Sequence, residues 1–408
     1  MLSQEAYNRS DFGSGFALAT SRRTGATLAV FRLLPNVKLD ATYDTGNPGD
    51  DLSPTGFALQ GSEEARGNGV FGMQSSQASL ATDIQVPSVT AQVFMDIQSV
   101  GFDELEFRQI YGRVGNLLGG DYYSSFTDSG TLPQTIVPMG NVAGSIQNPK
   151  TTQLQYARLF GIGLLISAAI ENPNTEDYTL VATDDTRLSR IPDFVARVRY
   201  QPLDAWGSVQ GAILVRHFIF EDTLMNEHHT SAVSFSGNAR FKTWGDNNVR
   251  LGGVAGEGAG GRIFGLNGAQ VAAGPLAGSL NALENVGGFA SYQHFWLENL
   301  WSNVAYGYAF ADVTAAMGDQ PRRSQNGWVN LIWNNSSGNV AFGVEYQVGQ
   351  LEVGDGRHGF NHHIQLSMQI GGAVGDPEDE ARAVARRRRS QMGAAAAPSS
   401  PTDVFPRL

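Results

Sequence analysis

The chain predicts an all-β fold: a sixteen-stranded antiparallel transmembrane β-barrel of outer-membrane type, with short periplasmic turns and long external loops. Three observations carry that expectation. Stretches of roughly ten residues alternate apolar with polar or very small side chains, which is the period of a strand with two unlike faces. They recur from Val37 to Ile370. The connections between them are by turns short and long, an asymmetry that a soluble sandwich has no reason to keep. No run of about 18 apolar residues is available for a transmembrane helix; the longest apolar stretch, Phe160 to Ile170, is interrupted by Gly161 and Gly163.

The first strand sets the pattern. In Val37-Lys38-Leu39-Asp40-Ala41-Thr42-Tyr43, one face is Val, Leu, Ala and Tyr and the other is Lys, Asp and Thr. The same criterion places strands at Asn36–Tyr43, Phe71–Gln85, Val89–Gln98, Glu104–Val114, Leu117–Thr127, Thr152–Leu159, Ile162–Glu171 and Asp193–Tyr200. The second half follows with Gly207–Phe220, Ser231–Thr243, Asn248–Gly256, Gly288–Leu297, Ser302–Val313, Asn326–Trp333, Asn339–Gln350 and His362–Ile370. Connections after even-numbered strands have about two to five residues, and nearly all those after odd-numbered strands have about ten to thirty. The short third connection, 99–103, is the exception.

The expected organisation has three parts. Residues 1–35 form a poorly ordered N-terminal segment, periplasmic and leader-proximal, with no clean signal peptide. Residues 36–371 form the barrel. Residues 372–408 form a disordered or partly helical tail that carries Glu378-Asp379-Glu380, four consecutive Arg from Arg386 and an Ala/Pro/Ser-rich end. The final strand runs into this tail through Ile370-Gly371-Gly372 instead of ending on an aromatic residue.

Composition excludes several function classes. The 408 residues include no Cys, which rules out disulfides, thiolate metal sites and a Cys nucleophile. A formal charge of −11 argues against a nucleic-acid partner, which needs basic surface for phosphates. Expected partners are outer-membrane lipid and small solutes in transit, and no cofactor is implied.

Alternation assigns side chains to faces. The lipid side takes Val209, Ile213 and Val215; Phe235 and Phe241; Val304, Tyr306, Tyr308 and Phe310; Val340, Phe342, Val344 and Tyr346; and Ile364, Leu366, Met368 and Ile370. The inner side takes Gly, Ser, Asn, Gln and charges. Its basic set is Lys38, Arg108, Arg197, Arg199, Arg216, Arg240, Lys242 and Arg250, opposed by Asp40, Asp83, Asp96, Glu106 and Glu345. Basic rings in a confined pore favour anions, while ordinary solvated charges on polar sheet faces would give the same pattern. Trp206, Trp244, Trp296, Trp301 and Trp333 lie near short turns, as an aromatic girdle at the periplasmic interface would.

Ordered segments add a resemblance. "IPDFVARVRYQ" (Ile191–Gln201), "ENP" (Glu171–Pro173), "YGRVGNLLGGDYYSSFTD" (Tyr111–Asp128), "GGFASYQHFW" (Gly287–Trp296), "NLIW" (Asn330–Trp333) and "FGVEYQVGQLEVGDGRHGFNHHIQLS" (Phe342–Ser367) resemble segments of the DcaP-like trimeric outer-membrane porins. The resemblance implies a sixteen-stranded homotrimeric barrel for passive uptake of small, often anionic, organic solutes such as carboxylates. It implies inward roles for Arg108, Arg197, Arg199 and Arg216. It also implies that 128–151 is the external loop that folds inward and narrows the channel. The chain departs from the family at Gln85, Gln155 and His363, where relatives often carry Arg.

Other chemistry is weaker. His228-His229 and His362-His363 point to opposite faces of a strand, so neither adjacent pair can chelate a metal. Gly252-Gly253, Gly260-Gly261 and Gly287-Gly288 open no helix and form no phosphate loop. Two alternative readings are a phospholipase-type barrel enzyme and a structural or adhesive surface protein. His217 faces outward, but no outward Ser with an Asn or Asp partner is evident at its depth. A repetitive adhesin should show strands that resemble one another, whereas these share only alternation.

Overall fold

A computed structural model describes residues 16–23, 26–46, 67–73, 76–86, 89–99, 105–136, 142–146, 150–161, 163–173, 186–188, 190–202, 206–222, 224–266, 268–273, 279–335 and 339–371. The expected tail, residues 372–408, lies outside the described residues, as do residues 1–15. Among the described residues no helix is long and apolar enough to cross a membrane.

The architecture is a closed sixteen-stranded antiparallel barrel. Its first eight strands are β1 (Ala26–Asp44), β2 (Asn68–Gly72 and Gln77–Val86), β3 (Val89–Ser99), β4 (Leu105–Val114), β5 (Leu117–Tyr123), β6 (Lys150–Phe160), β7 (Leu164–Glu171) and β8 (Thr186–Leu188 and Asp193–Tyr200). The rest are β9 (Gly207–Glu221), β10 (Glu227–Lys242), β11 (Asn248–Glu257), β12 (Glu284–Leu297), β13 (Leu300–Ala311), β14 (Pro321–Asn334), β15 (Val340–Val353) and β16 (His358–Gly371). Each strand pairs with its sequence neighbour, and β16 closes onto β1 from Asn36↔Gly371 to Asp44↔His363. Closure leaves no open sheet edge in the hydrocarbon layer, where an unpaired N–H or C=O would have no water to bond.

Alternation survives as alternating burial. In β13, Val304, Tyr306 and Tyr308 are exposed while Asn303, Ala305, Gly307 and Ala309 are buried. The outward set behaves in the same way at Val209, Val215, Phe235, Phe342, Val344, Tyr346, Ile364, Leu366 and Ile370, all of them exposed.

Four expectations need correction. First, the strand expected from Asn36 starts earlier, at Ala26. A leading strand, Phe16–Arg23, pairs antiparallel with Ala26–Leu33, so β1 begins ahead of Asn36. Pro35 concealed this extension in the sequence. It sits where β1 exchanges partners, between Leu33↔Phe16 and Asn36↔Gly371, so its missing N–H costs no ladder bond on that edge. Second, the strand expected over Leu117–Thr127 ends at Tyr123, and Ser124 turns into the barrel. Third, external connections are not uniformly long. The strands beside 222–226 and 354–357 extend to Glu221, Glu227, Val353 and His358, which leaves tight hairpins. In the first hairpin, hydrogen bonds from His228 and Asn226 hold the Asp222 carboxyl well below the usual carboxylate range.

Fourth, the inner face is apolar over part of the barrel. Inward Ala169, Val195, Ala212, Leu214, Val254, Ala309 and Ala311 form one buried cluster with Phe126, Ile146, Ala259, Ile263, Leu266, Ala269 and Ala272. The second group comes from two segments folded inside, 124–146 and 258–283. The described parts of the second segment, 258–266, 268–273 and 279–283, are packed against the wall. They include a two-stranded piece, Val271–Ala273 with Leu280–Ala282.

Leu366→Arg, on the outward face of β16, is expected to cost about 2–4 kcal/mol if it lies near the bilayer midplane. Urea titration of the barrel folded into lipid vesicles measures it. An unchanged midpoint would place Leu366 outside the lipid band.

Candidate pore lining and inward segments

The inward segment 124–146 is pinned to the wall strand by strand. Ser236 of β10 donates to the Phe126 carbonyl at 3.0 Å, and Arg250 of β11 donates to the Leu132 carbonyl. Gln134 accepts through its side chain from Gln293 at 2.7 Å and through its carbonyl from Asn330 at 2.9 Å. The Ile136 N–H reaches Glu345 of β15 at 2.9 Å, and the Ala143 N–H reaches Asn326 of β14 at 2.7 Å. Buried backbone needs such partners once water is excluded.

Glycines let this backbone lie against the sheet. A Cβ on Gly144 (φ 76°) would fall 2.0 Å from the Tyr308 carbonyl oxygen, and one on Gly307 would fall 2.0 Å from that of Ala143. The two inward segments are then joined to each other. Ile146 bridges Ile263, Gly144 N–H donates to the Phe264 carbonyl at 3.0 Å, and Phe264 N–H donates to that of Ser145 at 2.9 Å.

Arg262, at the head of the second segment, lies in a buried polar knot that sequence reading missed. Its guanidinium donates to Ser124 at 2.7 Å, to Glu171 of β7 at 2.9 Å and to Asp193 of β8 at 2.8 Å. Arg216 reaches the same Asp193 at 3.0 Å and the Gly258 carbonyl at 2.9 Å. Two cations thus meet two carboxylates, and the knot ties both inward segments to β7, β8 and β9. No local pattern marks Arg262, because its partners are distant in sequence.

The expected basic set therefore divides. Arg216 and Arg250 hold the inward segments and are buried. Lys38 is buried against Asp40 at 2.8 Å, and Asp40 also accepts from Gln365 at 2.8 Å. Arg240 is buried opposite Arg250 in register. Lys242 sits at the periplasmic end beside Asp246 of the turn, at 3.5 Å. Arg108, Arg197 and Arg199 remain half-buried on the inner face of β4 and β8. Arg197 donates to Ser167 at 2.9 Å, and Arg199 lies 3.5 Å from Asp128 of the inward segment. Arg108 occupies an irregularity in the β3–β4 register, 2.9 Å from the Tyr123 hydroxyl and 3.7 Å from Asp96. Lys150, which sequence reading left in a loop, joins the electrostatic neighbourhood of Arg108, Asp96 and Glu106.

Among the acidic set, Asp96 accepts from Ser79 at 2.7 Å. Glu106 is exposed at the rim. Glu345 is an anchor for the inward segment and for Asn330, not a free lining group. The Asp83 side chain lies outside the described residues. His363 is buried against Asp44 at 2.9 Å.

The girdle needs one correction. Trp206, Trp244, Trp296 and Trp333 are exposed, but Trp301 is buried and points inward. It falls on the inner parity of β13 and packs with Ile136, Ile332 and Phe295 under the inward segment. Trp206 stacks on Phe241 with ring centroids 5.7 Å apart. The sequence reading also missed an outward Ser beside His217: Ser231 lies 2.9 Å from its Nδ1. The other nitrogen of that ring faces His229 and not an Asn or Asp among the described residues.

No protein-family model matches the sequence, and no curated protein matches it. Solved structures do. The outer-membrane channel DcaP of Acinetobacter baumannii is 19% identical with a TM-score of 0.74, over 87% of this chain and 100% of that one. An anion-selective porin from Comamonas acidovorans is 9% identical with a TM-score of 0.57, over 84% of this chain and 99% of that one. A loop-deleted form of OmpT, an outer membrane protein of Vibrio cholerae, is 9% identical with a TM-score of 0.52, over 84% and 99%.

Two changes test the inward segments. Gly144→Val should lift 124–146 from the wall and raise single-channel conductance; equal conductance would show that this contact does not set the lumen. Arg262→Met leaves Glu171 buried without its cation, expected to cost about 3–5 kcal/mol. Limited proteolysis of the folded protein should then cut within 124–146 or 258–283, and full resistance would contradict the anchoring role. With its closed ladder, outward apolar band and inward-folded segment, the chain has the fold of the DcaP channel and of other outer-membrane porins.

Proposed function

We propose that this protein is an outer-membrane porin, a homotrimeric passive diffusion channel for small hydrophilic anionic organic solutes such as carboxylates. The observation that carries the reading is a closed sixteen-stranded barrel whose lumen is narrowed by segment 124–146. Half-buried Arg108, Arg197 and Arg199 remain on the inner wall. In a confined lumen of low effective dielectric, basic groups concentrate anions. Arg197 bonds to the neutral Ser167, while Asp96 and Asp128 offset part of the charge of Arg108 and Arg199. Similarity in fold to a porin described as anion-selective supports the same sign. The trimer rests on the sequence resemblance. An acyl hydrolase is less well supported, since strand N–H groups beside Ser231 are engaged in the β9–β10 ladder and offer no oxyanion donors.

Planar-bilayer recording of the folded protein should give stepwise conductance, and its absence would sink the channel reading. In a salt gradient the reversal potential should show anion preference, while cation preference would refute the role of the lumenal arginines. Arg197→Glu combined with Arg199→Glu should shift that potential towards cations.

A further inference from the structure

The outward face of β9 and β10 changes chemistry at its external end. Ile213 pairs with Phe235 and Val215 with Val233, an apolar surface suited to lipid. The same parity continues with His217 opposite Ser231, the buried Ile219 opposite His229, and Glu221 opposite Glu227. Their inward neighbours Arg216, Phe218 and Ala232 face the barrel interior, so these groups lie outside the solute path.

The contacts form a line. His217 Nδ1 lies 2.9 Å from Ser231 Oγ, and His217 Nε2 lies 3.4 Å from His229 Nδ1. His229 Nε2 lies 3.7 Å from one Glu227 carboxylate oxygen, and the other oxygen accepts from Arg190 at 2.7 Å. The rings are near-parallel, with centroids 5.5 Å apart and planes at 28°. A separation of 3.4 Å is long for a hydrogen bond. It matches the edge of a metal tetrahedron: nitrogens bound at about 2.0–2.1 Å and about 109° apart are about 3.3–3.4 Å from each other.

The outer nitrogens complete the argument. Ser231 can accept a proton bond from His217 Nδ1, and the Glu227 carboxylate, fixed by Arg190 and 3.7 Å from His229 Nε2, favours a proton on that nitrogen electrostatically. Metal-ligating histidines commonly make this second bond, which sets the tautomer and orients the ring. In those tautomers His217 Nε2 and His229 Nδ1 both carry a lone pair at the gap between the rings, and a cation set off the N–N line could bind both.

We propose that His217 and His229 chelate a divalent transition-metal ion, Zn²⁺, Cu²⁺ or Ni²⁺, at the external membrane interface. Imidazole nitrogen suits these ions. Water fills the remaining positions, and Ser231 and Glu227 position the ligands. The metal would link β9 to β10 just above the lipid band.

The test titrates the folded full-length protein in detergent with ZnCl₂ by calorimetry and with CuCl₂ by electron paramagnetic resonance. Wild type should bind one Zn²⁺ at least tenfold more tightly than His217→Ala or His229→Ala. Its Cu²⁺ spectrum should show two-nitrogen hyperfine coupling that is lost in either variant and kept in His362→Ala. Equal Zn²⁺ affinity in wild type and the double variant would overturn the proposal, as would a two-nitrogen signal that survives both changes. Folding of each variant is checked by heat-modifiable mobility, and a double Gln variant replaces any Ala variant that fails to fold. Bilayer conductance should be the same in wild type and the double variant, which separates this site from the channel function.

Discussion

Closure of the β16–β1 ladder is the constraint on which the remaining structure depends. A lipid-embedded sheet cannot leave an edge unpaired, so each backbone group in the band must find a neighbour around the ring. Closing the ring gives every strand one face towards lipid and one towards the lumen, and so turns a simple alternation in sequence into two chemical surfaces. Where β16 stops at Gly371, the leading strand Phe16–Arg23 takes over the free edge of β1. Pro35 falls at the exchange, where a missing donor is tolerated.

The lumen of a ring this wide is not self-filling, and the protein fills part of it with its own chain. Segments 124–146 and 258–283 bring Phe126, Ile146, Ile263 and Leu266 onto a wall whose inward residues are mainly Ala, Val and Gly. The result resembles a small globular core built against the inside of a barrel. Its polar boundary is the Arg262–Glu171–Asp193–Arg216 knot, which shields each charge with opposite charge after desolvation. Inward charge is therefore divided between groups that anchor the inward segments and groups that do not, and alternation alone does not distinguish the two.

Register produces the outward chemistry as well. His217 and His229 are separated by a tight hairpin, and only the antiparallel offset of β9 and β10 brings their inner nitrogens together. The adjacent histidines His228 and His229 split instead, with His228 turning to Asp222 at 3.0 Å.

Much of this architecture was legible in the sequence. The sixteen strands, their order and the outward-facing residues from Val209 to Ile370 follow from a period of two, which is local and survives tertiary context. What alternation cannot reveal is what occupies the space a side chain enters. Trp301 and Trp333 read alike beside their turns, yet Trp301 has the inner parity of β13 and is buried under the inward segment, while Trp333 is exposed on the outer face. Arg197 and Arg250 likewise share an inward face, but one donates to Ser167 and the other caps the Leu132 carbonyl of a segment more than a hundred residues away. The described parts of the Gly/Ala-rich 258–283 carry no periodic signal because they pack on other segments and not in a regular ladder of the barrel. Sequence by itself determined which side of the wall each residue faces; tertiary structure decided which inward charges anchor and which remain in the lumen, because that depends on chain folded in from elsewhere.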